Sequence, residues 1–227
     1  MPVKVKICGL TNFKDAQAAL QTGADFLGFL FYPKSPRYVS PEKVREILMN
    51  LDRTKAKTVG VFVNQELNMV HDTLRFCGLD YAQLHGAEPA SMVNQPQIDR
   101  QQNPLFGCSY KAIKPQNKDE ALEMAARYAR SPAEDEENAL PAFLLDTYDP
   151  IMPGGTGHTG DKQIALELAG SYPILLAGGL TIQNLQPLLR EIKPWGVDVA
   201  SGTEAAPGIK DHKLMKQFVQ LTKEIRL

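Results

Sequence analysis

Three observations predict that this sequence folds as a single (β/α)8 barrel spanning residues 1–227. Short apolar, β-branched runs alternate eight times with amphipathic stretches, the mark of successive βα units on a parallel sheet. Most of these runs are apolar on both faces, as buried parallel strands are. Glycine-rich turns follow the seventh and eighth runs, at Gly178-Gly179 and Ser201-Gly202, where barrels of this kind bind phosphate. That pair of turns favours a closed barrel over a doubly wound open sheet built from the same units.

The strand candidates, in order, are Val3–Ile7, Phe26–Leu30, Thr58–Val63, Tyr81–Leu84, Tyr110–Ile113, Phe143–Asp146, Ile174–Ala177 and Val197–Val199. Helix start signals lie between them. Thr11-Asn12 precedes a helix through Leu20, and Ser40-Pro41-Glu42 supplies a cap, a first-turn proline and an early acid before Val44 to Leu51. Thr181 opens a helix over Ile182 to Ile192, and Asp211 opens the last one, Lys213 to Arg226. Eight units in this length average roughly 28 residues each, near the lower end for the fold, so most loops are short. Asn94 to Pro104, rich in Gln, Asn and Pro, and Ser131 to Asn138, with four acids in eight residues, read as surface insertions.

A chain of 227 residues can bury a substantial core without metal or disulfide support. Its 25 Lys and Arg against 26 Asp and Glu produce no field that favours nucleic acid or membrane, so an anionic ligand must be captured locally. The three cysteines, Cys8, Cys77 and Cys108, are widely spaced with no C-x-x-C pair. That pattern argues against a disulfide framework and a zinc site and for a reduced compartment. The N-terminus has no apolar signal core, and the longest apolar stretch, Phe26 to Tyr32, is far short of the ~20 residues that span a bilayer. The expectation is a cytoplasmic protein.

In this fold catalytic groups stand at the C-terminal ends of the strands. Those positions hold Cys8-Gly9, Phe31-Tyr32-Pro33, Asn64, His85-Gly86, Asp146-Thr147, Gly178-Gly179 and Ser201-Gly202. The segments around them, K-I-C-G-L-T at Lys6–Thr11, G-F-L-F-Y-P-K-S-P-R-Y at Gly28–Tyr38, V-G-V-F-V-N at Val59–Asn64 and Q-L-H-G at Gln83–Gly86, are joined by four more in order. These are L-L-D-T at Leu144–Thr147, G-G-T-G at Gly154–Gly157, A-G-G-L at Ala177–Leu180 and V-D-V-A-S-G-T-E at Val197–Glu204. Over nearly the whole chain this set resembles the phosphoribosylanthranilate isomerase family.

The resemblance implies an Amadori rearrangement of a small phosphosugar in tryptophan biosynthesis, run by one acid and one base with no cofactor and no metal. By position, Asp146 is the general acid for the furanose ring oxygen, and Cys8 is the general base for the C2 proton. The Cys8 thiol is expected to be eased toward thiolate by backbone amides at the strand end. Arg37 grips the anthranilate carboxylate, for which a guanidinium fork is suited. Gly178, Gly179, Ser201 and Gly202 cradle the phosphate, with Gly202 to Ala206 as a short extra helix. Gly154, Gly155, Thr156 and Gly157 form a lid, and Asn64 and His85 are substrate-orienting candidates, each with an equal chance of a purely structural role. Asp198 is expected to point into the barrel and to need a partner there. Cys77 and Cys108 read as small buried hydrophobes. Two places depart from the family pattern: Gly160-Asp161-Lys162 stands where Phe-Asp-Trp is usual, and Ala200 where a serine is usual. A noncatalytic phosphoribosyl-binding barrel and another phosphosugar isomerase or epimerase are the rival readings, and a monomer and a homodimer are equally open.

Overall fold

The computed structural model describes residues 2–93, 103–130, 140–146 and 159–225. The strands are β1 (Lys4–Ile7), β2 (Phe26–Leu30), β3 (Lys57–Phe62), β4 (Tyr81–Leu84), β5 (Ser109–Ile113), β6 (Phe143–Asp146), β7 (Ile174–Ala177) and β8 (Gly196–Val199). Each pairs in parallel with the next, and β8 returns to β1 with Asp198 beside Lys6, so the barrel closes. The helices are α1 (Phe13–Thr22), α2 (Pro41–Met49), α3 (Leu67–Cys77), α4 (Lys118–Tyr128), α5 (Thr159–Ser171), α6 (Leu185–Ile192) and α7 (His212–Glu224). Between β4 and β5 the described residues contain one 3-10 turn, Ala90–Met92. The predicted strands agree with the observed ones to within one residue at each end. No helix among the described residues is long and apolar enough to cross a membrane.

Residues two apart on a strand share a face, so each strand sends one set of side chains into the barrel and the other toward the helices. The inner set, Phe26, Val59, Tyr81, Tyr110, Leu144 and Leu175, packs into an apolar floor. The outer set, including Ile7, Leu27, Phe29, Phe62 and Phe143, joins the helices in the larger core. Carried toward the C-terminal strand ends, the inner parity brings Cys8, Gln83, His85, Asp146 and Asp198 above that floor.

The caps at Asn12, Ser40 and Asp211 form as their sequence signals require: each side chain accepts a backbone N–H of the first turn. Thr181 does not open α6. The helix begins after Asn184, whose side chain folds back to accept from the Thr181 N–H at 2.8 Å and donate to the Gly179 carbonyl at 3.0 Å, tying down the turn after β7. The predicted helix over Gly202 to Ala206 is also corrected. Ser201–Thr203 is a single 3-10 turn, and the chain then forms a hairpin of β9 (Glu204–Ala206) and β10 (Ile209–Lys210).

Asp15 fastens this hairpin and α7 to α1. Its buried carboxylate accepts from the Lys210 N–H at 2.9 Å, Asn12 Nδ2 at 2.8 Å and His212 Nε2 at 2.7 Å. Burial opposes its charge, but these donors outweigh burial and hold the carboxyl below the usual aspartate value. The stabilisation is therefore complete above the unfolded value of about 3.9 and is lost as pH falls through the lower folded value. Asp15→Ala is expected to lower the unfolding free energy by about 3 kcal/mol at neutral pH, read from urea titrations, with a smaller difference in acid.

Candidate active site

At the C-terminal mouth of the barrel, a cavity of about 230 Å³ is lined by Cys8, Arg37, Gln83, His85, Asp146, Asp198 and the turns Ala177–Leu180 and Val199–Gly202. The thiol of β1, the carboxyl of β6 and the glycine turns after β7 and β8 thus share one space. His85 and Asp146 also face a second, neighbouring cavity of about 510 Å³ with Lys111, Lys114 and Tyr128. Gly154, Gly155, Thr156 and Gly157 lie outside the described residues.

Beneath Cys8 runs a chain of hydrogen bonds whose directions are dictated by what each group can donate. The fully buried Lys6 ammonium, a donor only, reaches Cys8 Sγ at 3.4 Å, Asp198 Oδ2 at 3.2 Å and Gln83 Oε1 at 2.6 Å. Tyr110 Oη donates to the same Gln83 oxygen at 3.0 Å. With Oε1 taken, the Gln83 amide must donate through Nε2 to His85 Nδ1, 2.8 Å away. That assigns the neutral His85 proton to Nε2, which lies 3.3 Å from Asp146 Oδ2. His85, with no evident partner in the sequence, is therefore placed between Gln83 and the Asp146 carboxylate. Asp198 points inward onto Lys6, and its Oδ1 has no hydrogen-bond partner among the described residues.

Burial pushes the Cys8 thiol above its ordinary value, only partly opposed by the charges of Lys6 and Lys210. This corrects the expectation of an eased thiol: removal from water outweighs the strand-end donors. Burial likewise raises Cys77, to about 11, which fits an inert buried cysteine.

Arg37 is not a loosely solvated loop residue. Its Nε and Nη2 donate to the two oxygens of Glu204 at 2.8 and 2.7 Å. Glu204 also receives Lys210 Nζ at 3.2 Å, and that ammonium reaches the Ala200 carbonyl at 2.8 Å. The hairpin after β8 thereby holds the loop after β2. Asn64 adopts a left-handed φ of 53°; its Oδ1 accepts from the Ala87 N–H at 2.6 Å, and its own N–H donates to Glu88 at 2.8 Å. Glu88 forms a buried ion pair with Lys111 at 3.2 Å. These contacts tie together the loops after β3 and β4.

The glycine turns are tight for steric reasons. Gly178 and Gly179 have φ of 96° and 60°, and a Cβ on Gly202 would lie 1.9 Å from the Leu180 carbonyl oxygen. No L side chain fits there unless one turn moves. Gly202→Ala is expected to raise KM for a phosphorylated substrate by about tenfold or more, with a smaller change in kcat, as steady-state kinetics would show.

Lys6, Gln83, Glu204 and Lys210 carry much of this geometry, yet sequence reasoning gave them no role. For two of them a signal was available, because strand parity puts Lys6 on the face of Cys8 and Gln83 on that of His85. Among the described residues no group of three or more His, Cys, Asp or Glu side chains could hold a metal ion.

A closed (β/α)8 barrel with a thiol, a carboxyl, an arginine and paired glycine turns at one mouth defines the class: barrel enzymes that act by acid/base chemistry on phosphorylated small molecules. The family model described as N-(5'-phosphoribosyl)anthranilate (PRA) isomerase matches residues 5–221, and the chain belongs to that family. It is similar to N-(5'-phosphoribosyl)anthranilate isomerase of Pelobacter propionicus, 42% identical over 226 residues that cover 99% of this chain and 97% of that one. It is also similar to the crystal structure of phosphoribosyl anthranilate isomerase from Thermotoga maritima, with a TM-score of 0.80 and 36% identity over 98% of this chain and all of the other. A third relative, 33% identical with a TM-score of 0.78 over the same shares, is the isomerase in complex with reduced 1-(o-carboxyphenylamino)-1-deoxyribulose 5-phosphate.

Proposed function

We propose that this chain converts N-(5-phosphoribosyl)anthranilate to 1-(o-carboxyphenylamino)-1-deoxyribulose 5-phosphate, with Asp146 as the general acid and Cys8 as the general base. The observation that carries the reading is the shared cavity, in which both side chains stand beside the glycine turns. Asp146 protonates the furanose ring oxygen while the anilinic nitrogen pushes the C1–O bond open to an iminium. Cys8 removes the C2 proton, and the electron pair moves to the C1–C2 bond to form an enolamine. Protonation at C1 and loss of the C2 hydroxyl proton complete the ketone. Protons taken and returned balance, so the reaction is an isomerisation.

The phosphate sits against the backbone N–H groups of Gly178, Gly179, Ser201 and Gly202. Glu204 occupies the Nε/Nη2 edge of Arg37, leaving the guanidinium's Nη1 side to the anthranilate carboxylate. His85 orients the Asp146 carboxyl, and Asn64 holds the neighbouring loop. The setting is cytoplasmic, and the protein acts as a monomer or homodimer on a small phosphosugar rather than on nucleic acid. The direct assay follows the loss of substrate fluorescence. Steady consumption is expected, and binding without consumption would instead favour a noncatalytic barrel.

A base must be deprotonated to act, and burial raises the Cys8 thiol. Turnover needs the thiolate together with a protonated Asp146, so the kcat/KM profile is expected to carry an alkaline limb, set by Cys8, above the ordinary thiol value of about 8.5. Absence of any alkaline limb above that value would mean that Cys8 does not set the profile.

A further inference from the structure

We propose that Lys6 is a positioning residue for Cys8: its ammonium, sealed under the cavity, is the fixed counter-charge against which the thiolate forms. The inference deepens the reading of Cys8 as the base and rests on it. The Lys6 side chain is fully buried and does not line the cavity, so it acts through Cys8 and not on the substrate. Its three N–H donors meet three acceptors: Cys8 Sγ, Asp198 Oδ2 and Gln83 Oε1. A thiol is a weak acceptor and a thiolate a strong one, so deprotonation strengthens the 3.4 Å Lys6–Cys8 contact while the other two bonds hold the ammonium still.

Gly28 on β2 makes this seating possible. A Cβ there would stand 2.9 Å from Cys8 Sγ and 3.1 Å from Lys6 Cε, so the bare backbone is what lets sulfur and ammonium lie together. A fixed charge in a dry, preorganised site incurs no reorganisation when the proton moves.

The groups around Cys8 set the sign of the effect. On β1 and β8, Lys6 favours the thiolate and Asp198 opposes it; from the hairpin, Lys210 favours it. Arg37, from the loop after β2, is a further cation that senses Cys8, while Tyr110 on β5 is held neutral by burial. His85 and Asp146 face the thiol from β4 and β6 across the cavity. Lys6 is the cation in hydrogen-bond contact with the sulfur. Burial works against its charge, but the neighbouring Asp198 carboxylate, the leading group that counters burial, helps hold it charged above the usual lysine range.

The test compares Asp198→Asn with Asp198→Asn/Lys6→Met. Both remove the Asp198 carboxylate, and the pair replacement leaves no buried charge unmatched, which buried ion pairs commonly tolerate. Thiolate absorbance is titrated on each protein, with the signal of Cys77 and Cys108 subtracted by parallel Cys8→Ala versions. Removing Lys6 is expected to move the Cys8 midpoint upward by one pH unit or more, a tenfold or greater loss of thiolate near neutrality, and to slow iodoacetamide capture of Cys8 in proportion. In Lys6→Met alone, kcat is expected to fall at least about tenfold with KM little changed and the alkaline limb of the pH profile moved up. An equal or lower Cys8 midpoint in the double variant than in Asp198→Asn overturns the proposal. The titration needs no turnover, so it separates failure of the Lys6 inference from failure of Cys8 as the base, which the activity of Cys8→Ala reports.

Discussion

Cys8→Ala is expected to lower kcat by at least ~10²-fold while leaving KM within a few-fold of the parent, because the thiol takes the C2 proton and contributes little to holding the substrate. The substitution removes a small buried side chain at the mouth of the barrel, so the core beneath it, built on Phe26, Tyr81 and Tyr110, stays intact and the loss reports chemistry. Lys6 keeps Asp198 and Gln83 as partners in the variant, so no buried charge is stranded. Steady-state kinetics on substrate fluorescence, with far-ultraviolet dichroism as the folding control, measures the effect. Near-normal turnover would remove Cys8 from the reaction.

Asp146→Asn carries an effect of similar size, at least ~10²-fold in kcat, for a different reason. Asparagine keeps the shape of the side chain and can still accept from His85 Nε2, the group 3.3 Å from the native carboxyl, but it has no proton to give to the ring oxygen. Substrate should bind with the ring closed and stay so. A ring-opened analogue, which needs no such proton, should bind Asp146→Asn and the parent protein about equally. A variant that turns over normally would transfer the acid role elsewhere, with His85 the neighbouring group able to take it.

The barrel was legible because its strands announce themselves twice, as β-branched apolar runs and by the glycine or polar residue that ends each one. Strand ends in turn located Cys8, Asp146 and the glycine turns, since chemistry gathers at that rim in this fold, while Arg37 came only from the family resemblance. Local signals failed where a side chain had two competing uses. The helix expected to open at Thr181 begins instead after Asn184, whose carboxamide is engaged with Gly179 and Thr181. The stretch from Glu204 to Ala206 became a hairpin strand rather than a helix because its glutamate is drawn to Arg37 and Lys210, contacts separated by up to 167 positions that no local window contains.

The Cys8 thiol shows the same limit in energetic form. The resemblance made this residue the base, and the backbone amides of its strand-end position suggested a lowered pKa. The sign depends on how completely water is excluded, and only the assembled barrel shows that burial dominates. Lys6 was in plain view two residues before the cysteine, yet a lysine inside a strand reads as an exposed charge until the closed barrel turns it inward beside Asp198.

The most direct measurement of the central claim is a crystal structure of this protein with a reduced product analogue bound. The account predicts one bound molecule with the Cys8 sulfur on one side and the Asp146 carboxyl on the other, each within roughly 3–3.5 Å of the carbon or oxygen it serves, and the phosphate between the Gly178-Gly179 and Ser201-Gly202 turns. An analogue seated with its phosphate elsewhere, or with either group beyond reach of the sugar, would contradict it.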